Sequence, residues 1–175
     1  MDIQHSAAIA KLHTSNGEKE HHVSFITKYI FSQDHKTISK QFLITGMTWA
    51  IIGGLFSVLF RLQLGYPERS FPFLETIFGK WAAGGRIDAE FYYSLVTIHG
   101  TVMIFFVLTA GLSGTFANLL IPLQIGARDM AAPFLNMLSY WFFFVASVIM
   151  LSSLFVHSGA ANTGWQTYPP LSALR

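Results

Sequence analysis

Residues 93–121 read YSLVTIHGTVMIFFVLTAGLSGTFANLLI, a run of apolar and small residues without Asp, Glu, Lys or Arg. At 1.5 Å per residue a helix of this length crosses the hydrocarbon core of a bilayer. His99 lies inside the run, about two turns from one end. Lipid offers a buried imidazole no water, so a histidine at this depth is expected to have a metal, a proton relay or a polar neighbour as its partner.

The composition agrees with a membrane location. Hydrophobic residues make up 52% of the 175 residues and charged residues only 11%, against about 25% charged in soluble domains. The absence of cysteine excludes disulfides and thiolate metal sites. The net charge of +2 is small and scattered, which argues against a nucleic-acid partner. No short apolar stretch with a cleavage site precedes the first long one, so we expect the first spanning helix to direct insertion.

The pattern predicts an all-α membrane protein with three transmembrane helices. We place them at about residues 41–62, 92–121 and 133–157, with Pro133 in the first turn of the third. Residues 1–24 are polar and predict a mobile cytoplasmic tail, whose paired histidines favour solvation over metal binding. Residues 25–175 then form the membrane segment. The loop between the first two helices holds several Pro and Gly residues and predicts a short interfacial helix near residues 73–81.

The distribution of positive charge predicts the orientation. Lys28, Lys36 and Lys40 precede the first helix, and Arg128 lies between the second and third. The positive-inside rule therefore places the N-terminus in the cytoplasm and His99 toward the outer face.

His99 is expected to bind a metal through one ring nitrogen, while the other nitrogen donates to an acceptor that fixes the ring. A helix carbonyl and the hydroxyls of Ser94, Thr97 and Thr101 are the candidates, and spacing does not choose between them. Arg61, at the outer end of the first helix, either snorkels to the interface or donates to a prosthetic group near His99. His157 favours a surface position.

Three polar side chains gather at the inner face. Asn118 ends the second helix, Asp129 follows in the connection, and Asn136 is one turn into the third. Together they could form an anionic mouth with amides that hold ordered water, suited to proton uptake. The alternative is an exposed carboxylate near Arg128 and two asparagines that tie helix ends.

Four phrases carry a resemblance to a known family. In order and spacing they are similar to the first three helices of subunit I of the haem–copper respiratory oxidases, most of all the bacterial aa3-type cytochrome c oxidases. The resemblance covers residues from about 28 to the end. The phrases are FSQDHKTI (31–38), TIHGTVMIF (97–105), IPLQIGARDM (121–130) and TGWQTYPPL (163–171).

The resemblance implies roles for individual residues at the two faces. His99 corresponds to the axial ligand of the low-spin haem iron, Arg61 to an arginine at the formyl group of that haem, and Tyr92 to a tyrosine near its propionates. Trp165 corresponds to a tryptophan beside a propionate of the oxygen-binding haem.

The same resemblance assigns the polar group at the inner face. It implies that Asp129 is the entrance of the D proton pathway and that Asn118 and Asn136 line its first part.

For the whole enzyme the resemblance implies reduction of dioxygen to water with proton translocation in the bacterial inner membrane. Family members have about twelve helices, so we expect this chain to be part of a longer subunit and inactive alone. No catalytic residue for oxygen reduction is expected in this segment: haem a is ligated here, whereas haem a3 and copper B need ligands from the remainder. The expected partners are the copper A-bearing subunit II, subunit III, and cytochrome c or a cytochrome-containing complex as electron donor.

Three alternative functions remain at this point. A quinol oxidase keeps the fold with another electron donor, and a nitric oxide reductase keeps it with another acceptor, although the Asp129 set argues against the reductase. A non-catalytic haem-binding membrane anchor would use His99 and His157 as ligands.

Overall fold

The computed structural model describes residues 25–156, 160–161, 163–170 and 172–173. The predicted tail, residues 1–24, and His157 lie outside these residues. Residues 25–32 belong to a separate unit, in which Ile26–Ile30 form one π-helical turn. The long helices belong to the unit that begins at Gln33.

Helix α1, His35–Gly65, is the first of three long helices. Asp34 caps its N-terminus: the carboxylate Oδ2 accepts from the Thr37 backbone N–H and from the Thr37 hydroxyl, both at 2.9 Å. The helix begins six residues before the predicted start, because the polar residues that follow the Asp34 cap are helical and precede the apolar run. Its 31 residues extend about 46 Å, longer than the roughly 30 Å hydrocarbon core.

A short helix, α2 at Pro72–Phe78, lies in the connection after α1, where an interfacial helix was predicted. Short 3₁₀ turns at Gly79–Gly85 follow it. The Phe71 N–H donates to the Gly85 carbonyl at 2.8 Å and closes the loop. Gly85 has φ +73°, and a Cβ there would lie 2.8 Å from the Phe71 carbonyl carbon, so this turn requires glycine.

The second long helix, α3, spans Ala89–Ile125. Its middle, Val102–Leu112, is π-helical, and the Thr109 hydroxyl donates to the Ile104 carbonyl five residues back. Gly126, with φ +69°, ends the helix. Helix α4, Pro133–Ser152, starts with proline in its first turn and continues as a 3₁₀ turn to Phe155.

The three long helices pack side by side and leave much apolar surface outside. Gly46 of α1 and Gly111 of α3 mark a close crossing, since a Cβ on Gly46 would lie 3.0 Å from the Gly111 Cα. An aromatic cluster fills the space between helices: Phe42, Trp49, Phe106, Tyr140 and Phe143. Many large apolar side chains of all three helices face outward, as lipid contact requires. The chain is therefore an all-α membrane protein with three spans, as predicted.

Candidate functional site

The His99 imidazole contacts the neighbouring helix α1. Its Nδ1 lies 2.8 Å from the carbonyl oxygen of Gly53. A carbonyl oxygen only accepts, so Nδ1 carries the hydrogen, and in the neutral form of the ring Nε2 then keeps its lone pair. Within the described chain Nε2 makes no hydrogen bond. Metal-bound histidines commonly donate Nδ1–H to a backbone carbonyl in this way, so His99 fits a metal ligand through Nε2.

Gly53 allows this close approach because it has no side chain. A Cβ at this position would lie 2.9 Å from Met103 Sδ and 3.3 Å from Val102 Cγ1, both on α3. The two helices can therefore approach until the imidazole reaches the α1 backbone. The sequence did not single out this acceptor, although the Gly53–Gly54 pair inside a span was a usable signal.

The three hydroxyls considered as partners of His99 bond elsewhere. Thr97 Oγ1 donates to the Tyr93 carbonyl at 2.8 Å, and Thr101 Oγ1 donates to the Thr97 carbonyl at 2.9 Å. Ser94 Oγ donates to the Ala160 carbonyl at 3.1 Å. Of the alternatives that the sequence left open, the helix carbonyl is the one observed.

Aromatic rings connect His99 with Tyr92. The Phe60 ring lies edge-on to both, with centroid distances of 5.5 Å to the imidazole and 6.1 Å to the Tyr92 ring. Arg61 follows Phe60 in α1 and is exposed, with no hydrogen bond to a described residue. Its Cα lies about 12 Å along the helix from that of Gly53.

Trp165 lies beside the turn that follows His99. Its Cδ1 would be 3.3 Å from a Cβ built on Gly100, and its ring lies edge-on to Phe105 at 6.1 Å. The indole is 43% exposed, so one side stays open to a further group.

Asp129 lies at the opposite end of the helices and is tied to the start of α1. Its Oδ1 accepts from the backbone N–H of His35 at 3.2 Å and from that of Met130 at 2.8 Å. The side chain remains 36% exposed, and no ion pair joins it to Arg128 in the part of the chain that the structure describes. Asp129 is therefore held in place yet accessible to water, unlike a freely moving loop carboxylate.

His35 joins this carboxylate and was given no role by the sequence. It is 2% exposed, and its Nδ1 lies 3.3 Å from Asp129 Oδ1 and 3.9 Å from Asp34 Oδ1. Neither ring nitrogen makes a hydrogen bond to a described residue. One ligand atom from each of the three residues lies within 4.8 Å of the others, a spacing that a divalent cation could bridge after small rotations.

The charge state of Asp34 follows from its surroundings. Burial alone would raise the pKa of its carboxyl, but hydrogen bonds from the Thr37 hydroxyl and N–H, the charge of His35 and the Lys36 N–H outweigh this effect. The pKa therefore lies below its ordinary value of 3.8, and Asp34 stays negative near neutral pH.

Asn118 and Asn136 lie at the same end as Asp129. Asn118 Nδ2 donates to the Gly114 carbonyl at 2.7 Å, while its Oδ1 is buried without a hydrogen bond. Asn136 Nδ2 is likewise buried without one, and no direct bond joins the two amides to each other or to Asp129 among the described residues. Unsatisfied buried amide atoms suit ordered water.

The sequence of this chain matches a protein family and several known proteins. The family described as Cytochrome C and Quinol oxidase polypeptide I matches residues 37–175. The alternative cytochrome c oxidase subunit 1 of Bradyrhizobium diazoefficiens is 41% identical over 157 residues, which is 90% of this chain and 24% of that protein. The cytochrome c oxidase subunit 1 of Synechocystis is 39% identical, covering 83% of this chain and 23% of that relative.

A quinol oxidase subunit is similar to this chain as well. The quinol oxidase subunit 1 of Bacillus subtilis is 36% identical over 147 residues, covering 84% of this chain and 20% of that relative. The chain thus spans about a quarter or less of the length of these relatives. Since the family match covers well over half of the chain, this protein belongs to the family of haem–copper oxidase subunit I.

Proposed function

We propose that this chain is the N-terminal membrane part of a terminal respiratory oxidase that reduces dioxygen to water and couples this to proton translocation. The observation that carries the proposal is the hydrogen bond from His99 Nδ1 to the Gly53 carbonyl at 2.8 Å, which prepares Nε2 for iron. Family membership as an oxidoreductase subunit supports the reaction class.

In this proposal His99 would hold the iron of a low-spin haem a. Bound haem would supply one-electron transfer, and its reduction potential is set by the axial ligand, the second-shell hydrogen bonds and the burial of the site. The Gly53 carbonyl orients the imidazole and raises its basicity. Arg61 would bond the haem formyl group and Tyr92 would lie near its propionates. Tyr92 and His99 both contact the Phe60 ring, which supports the second assignment.

Asp129 is proposed as the proton entrance, with Asn118 and Asn136 lining the path behind it. Support comes from a half-exposed carboxylate held by two backbone N–H groups and from buried amide atoms that could hold water. A carboxylate at a helix end can collect protons from solution and release them to ordered water.

The wider assembly is proposed from the family. Haem a3 and copper B would be bound by residues of the full-length subunit outside this chain, with Trp165 beside a haem a3 propionate. Subunit II with copper A, subunit III, and cytochrome c or a cytochrome-containing complex would be the partners in a bacterial inner membrane.

The test of this function uses the His99→Ala variant of the full-length oxidase. We expect loss of the low-spin haem absorption band and of oxygen consumption, because alanine offers no ligand to iron. The exposed Lys80→Ala variant, in the connection between α1 and α3, serves as control and should keep both. A His99→Ala enzyme with an unchanged low-spin band would refute the ligand assignment.

A further inference from the structure

The segment after α4 folds back onto α3. We define the return segment as the described residues 160–161 and 163–170. The Ala160 carbonyl accepts from Ser94 Oγ at 3.1 Å, and the Gly164 N–H donates to Thr97 Oγ1 at 3.0 Å. Ser94, Thr97 and Gly100 are spaced by three residues, so one face of α3 receives the contacts of Ala160, Gly164 and Trp165.

Thr97 is the polar centre of this contact. Its side chain is almost fully buried at 4% exposure, and its hydroxyl donates to the Tyr93 carbonyl at 2.8 Å while it accepts from the Gly164 N–H. A hydroxyl has one hydrogen and two lone pairs, so both bonds can be made together. A side chain of equal size without an oxygen would leave the Gly164 N–H without its acceptor.

Trp165 follows immediately after this hydrogen bond. Gly164 has φ +78°, which turns the chain so that the indole reaches Gly100. Any Cβ on Gly100 would lie 3.3 Å from Trp165 Cδ1, which is tighter than ordinary van der Waals contact. Phe105 bounds the ring from another side with an edge-on contact at 6.1 Å. The position of the indole therefore depends on where the Gly164 N–H is held.

The same turn of α3 carries His99 on another face. Thr97 and His99 are two residues apart, which separates their directions around the helix by roughly 200°. His99 points to α1 and the Gly53 carbonyl, whereas Thr97 faces the return segment. One helical turn thus connects the imidazole on one side with the indole on the other.

We propose that Thr97 is a positioning residue whose hydroxyl fixes the Gly164–Trp165 turn against α3 and so sets the position of Trp165 relative to His99. The consequence for the haems rests on the proposed function: the ligand of one haem and the residue beside the other would be held by one turn of helix.

The test measures hydrogen–deuterium exchange by mass spectrometry in the full-length oxidase. Thr97→Val keeps the side-chain shape and removes the acceptor, so we expect peptides containing Gly164 to exchange about fivefold faster, as loss of one ordinary hydrogen bond implies. Thr97→Ser restores the hydroxyl and should restore slow exchange. Thr101→Val is the matched control, because the Thr101 hydroxyl bonds to its own helix only.

Unchanged exchange in Thr97→Val, or equal acceleration in Thr101→Val, would overturn the proposal. Should the valine variant fail to assemble, Thr97→Cys replaces it with the same expectation, because a thiol is a weak acceptor.

Resonance Raman spectra of the same variants separate this proposal from the proposed function. Faster exchange together with altered propionate bands of the oxygen-binding haem supports both. Faster exchange with unaltered bands supports the role of Thr97 and contradicts the contact proposed for Trp165.

Discussion

The hydrogen bond of His99 to a backbone carbonyl fixes one imidazole inside a membrane span. A hydroxyl partner could rotate and donate or accept, whereas a carbonyl fixed in a helix only accepts. The 2.8 Å contact with Gly53 therefore selects one tautomer and limits rotation of the ring. This contact therefore depends on glycine at residue 53 as well as on the imidazole.

Enlarging Gly53 should disturb this site. In Gly53→Ala the new Cβ meets Met103 Sδ at 2.9 Å; the flexible methionine can move, so we expect a loss of about 1 kcal/mol in stability and a small shift of the low-spin haem band. Gly53→Val, with two further methyl groups, should cost about 1–3 kcal/mol and shift the band further. Thermal denaturation and absorption spectra measure the two effects.

The neighbouring Gly54 provides the control. A Cβ on Gly54 meets nothing within 4 Å, so Gly54→Ala should leave the haem band unchanged and stabilise α1 slightly through its higher helix propensity. Equal spectral shifts in Gly53→Ala and Gly54→Ala would show that the close approach at Gly53 has no part in ligand orientation.

The role of Asp129 can be tested with a substitution that keeps its hydrogen bonds. In Asp129→Asn the amide oxygen can still accept from the His35 and Met130 N–H groups, so the fold should be kept. The side chain can no longer exchange a proton, and we expect turnover and proton uptake to fall by about tenfold to a hundredfold. Oxygen consumption and pH-indicator measurements in reconstituted vesicles test this.

Asp88→Asn is the matched control for Asp129, because Asp88 is a helix-capping aspartate at the other end of α3. It should retain normal proton uptake. If Asp129→Asn pumps at the rate of Asp88→Asn, Asp129 is not the entrance.

At the scale of elements, hydropathy was enough to find the three spans but not their ends. The polar turn after Asp34 belongs to α1 because its capping bonds extend the helix beyond the apolar run. The π-helical winding of Val102–Leu112 was not predictable either. An apolar stretch does not show whether each N–H bonds to the carbonyl four or five residues back. The sequence left a helix carbonyl open as the partner of His99 but could not identify Gly53, because the acceptor is a backbone atom of another helix and every residue has a backbone carbonyl.

The crossing of α1 and α3 gives a prediction for these elements. A Cβ on Gly46 would lie 3.0 Å from a backbone atom, Gly111 Cα, which cannot rotate away as a side chain can. We expect Gly46→Ala to lower stability by about 1–3 kcal/mol through separation of the helices. Gly65→Ala, where a Cβ meets nothing within 4 Å, should have little effect. Denaturation midpoints of the purified oxidase compare the two, and equal midpoints would contradict a tight crossing.

At the level of the whole molecule, the crossing of the bilayer by α3 has a topological consequence. Because α3 spans the bilayer, the connection before it, residues 66–88, and the connection after it, residues 126–132, lie on opposite sides. The sequence predicted which side is which from positive charges alone, and that assignment remains a prediction. Its physical basis is the retention of short basic segments in the cytoplasm during insertion.

The orientation can be measured with cysteines, since this chain has none of its own. Ala83→Cys and Ala131→Cys introduce the same small change at two exposed positions, one in each connection. In spheroplasts a membrane-impermeant maleimide should label Cys-substituted residue 83 and spare residue 131, and both should react after permeabilisation. The unmodified oxidase reports background labelling from other subunits. Labelling of residue 131 alone in intact spheroplasts would invert the topology, place Asp129 at the outer face, and remove it as an entrance for cytoplasmic protons.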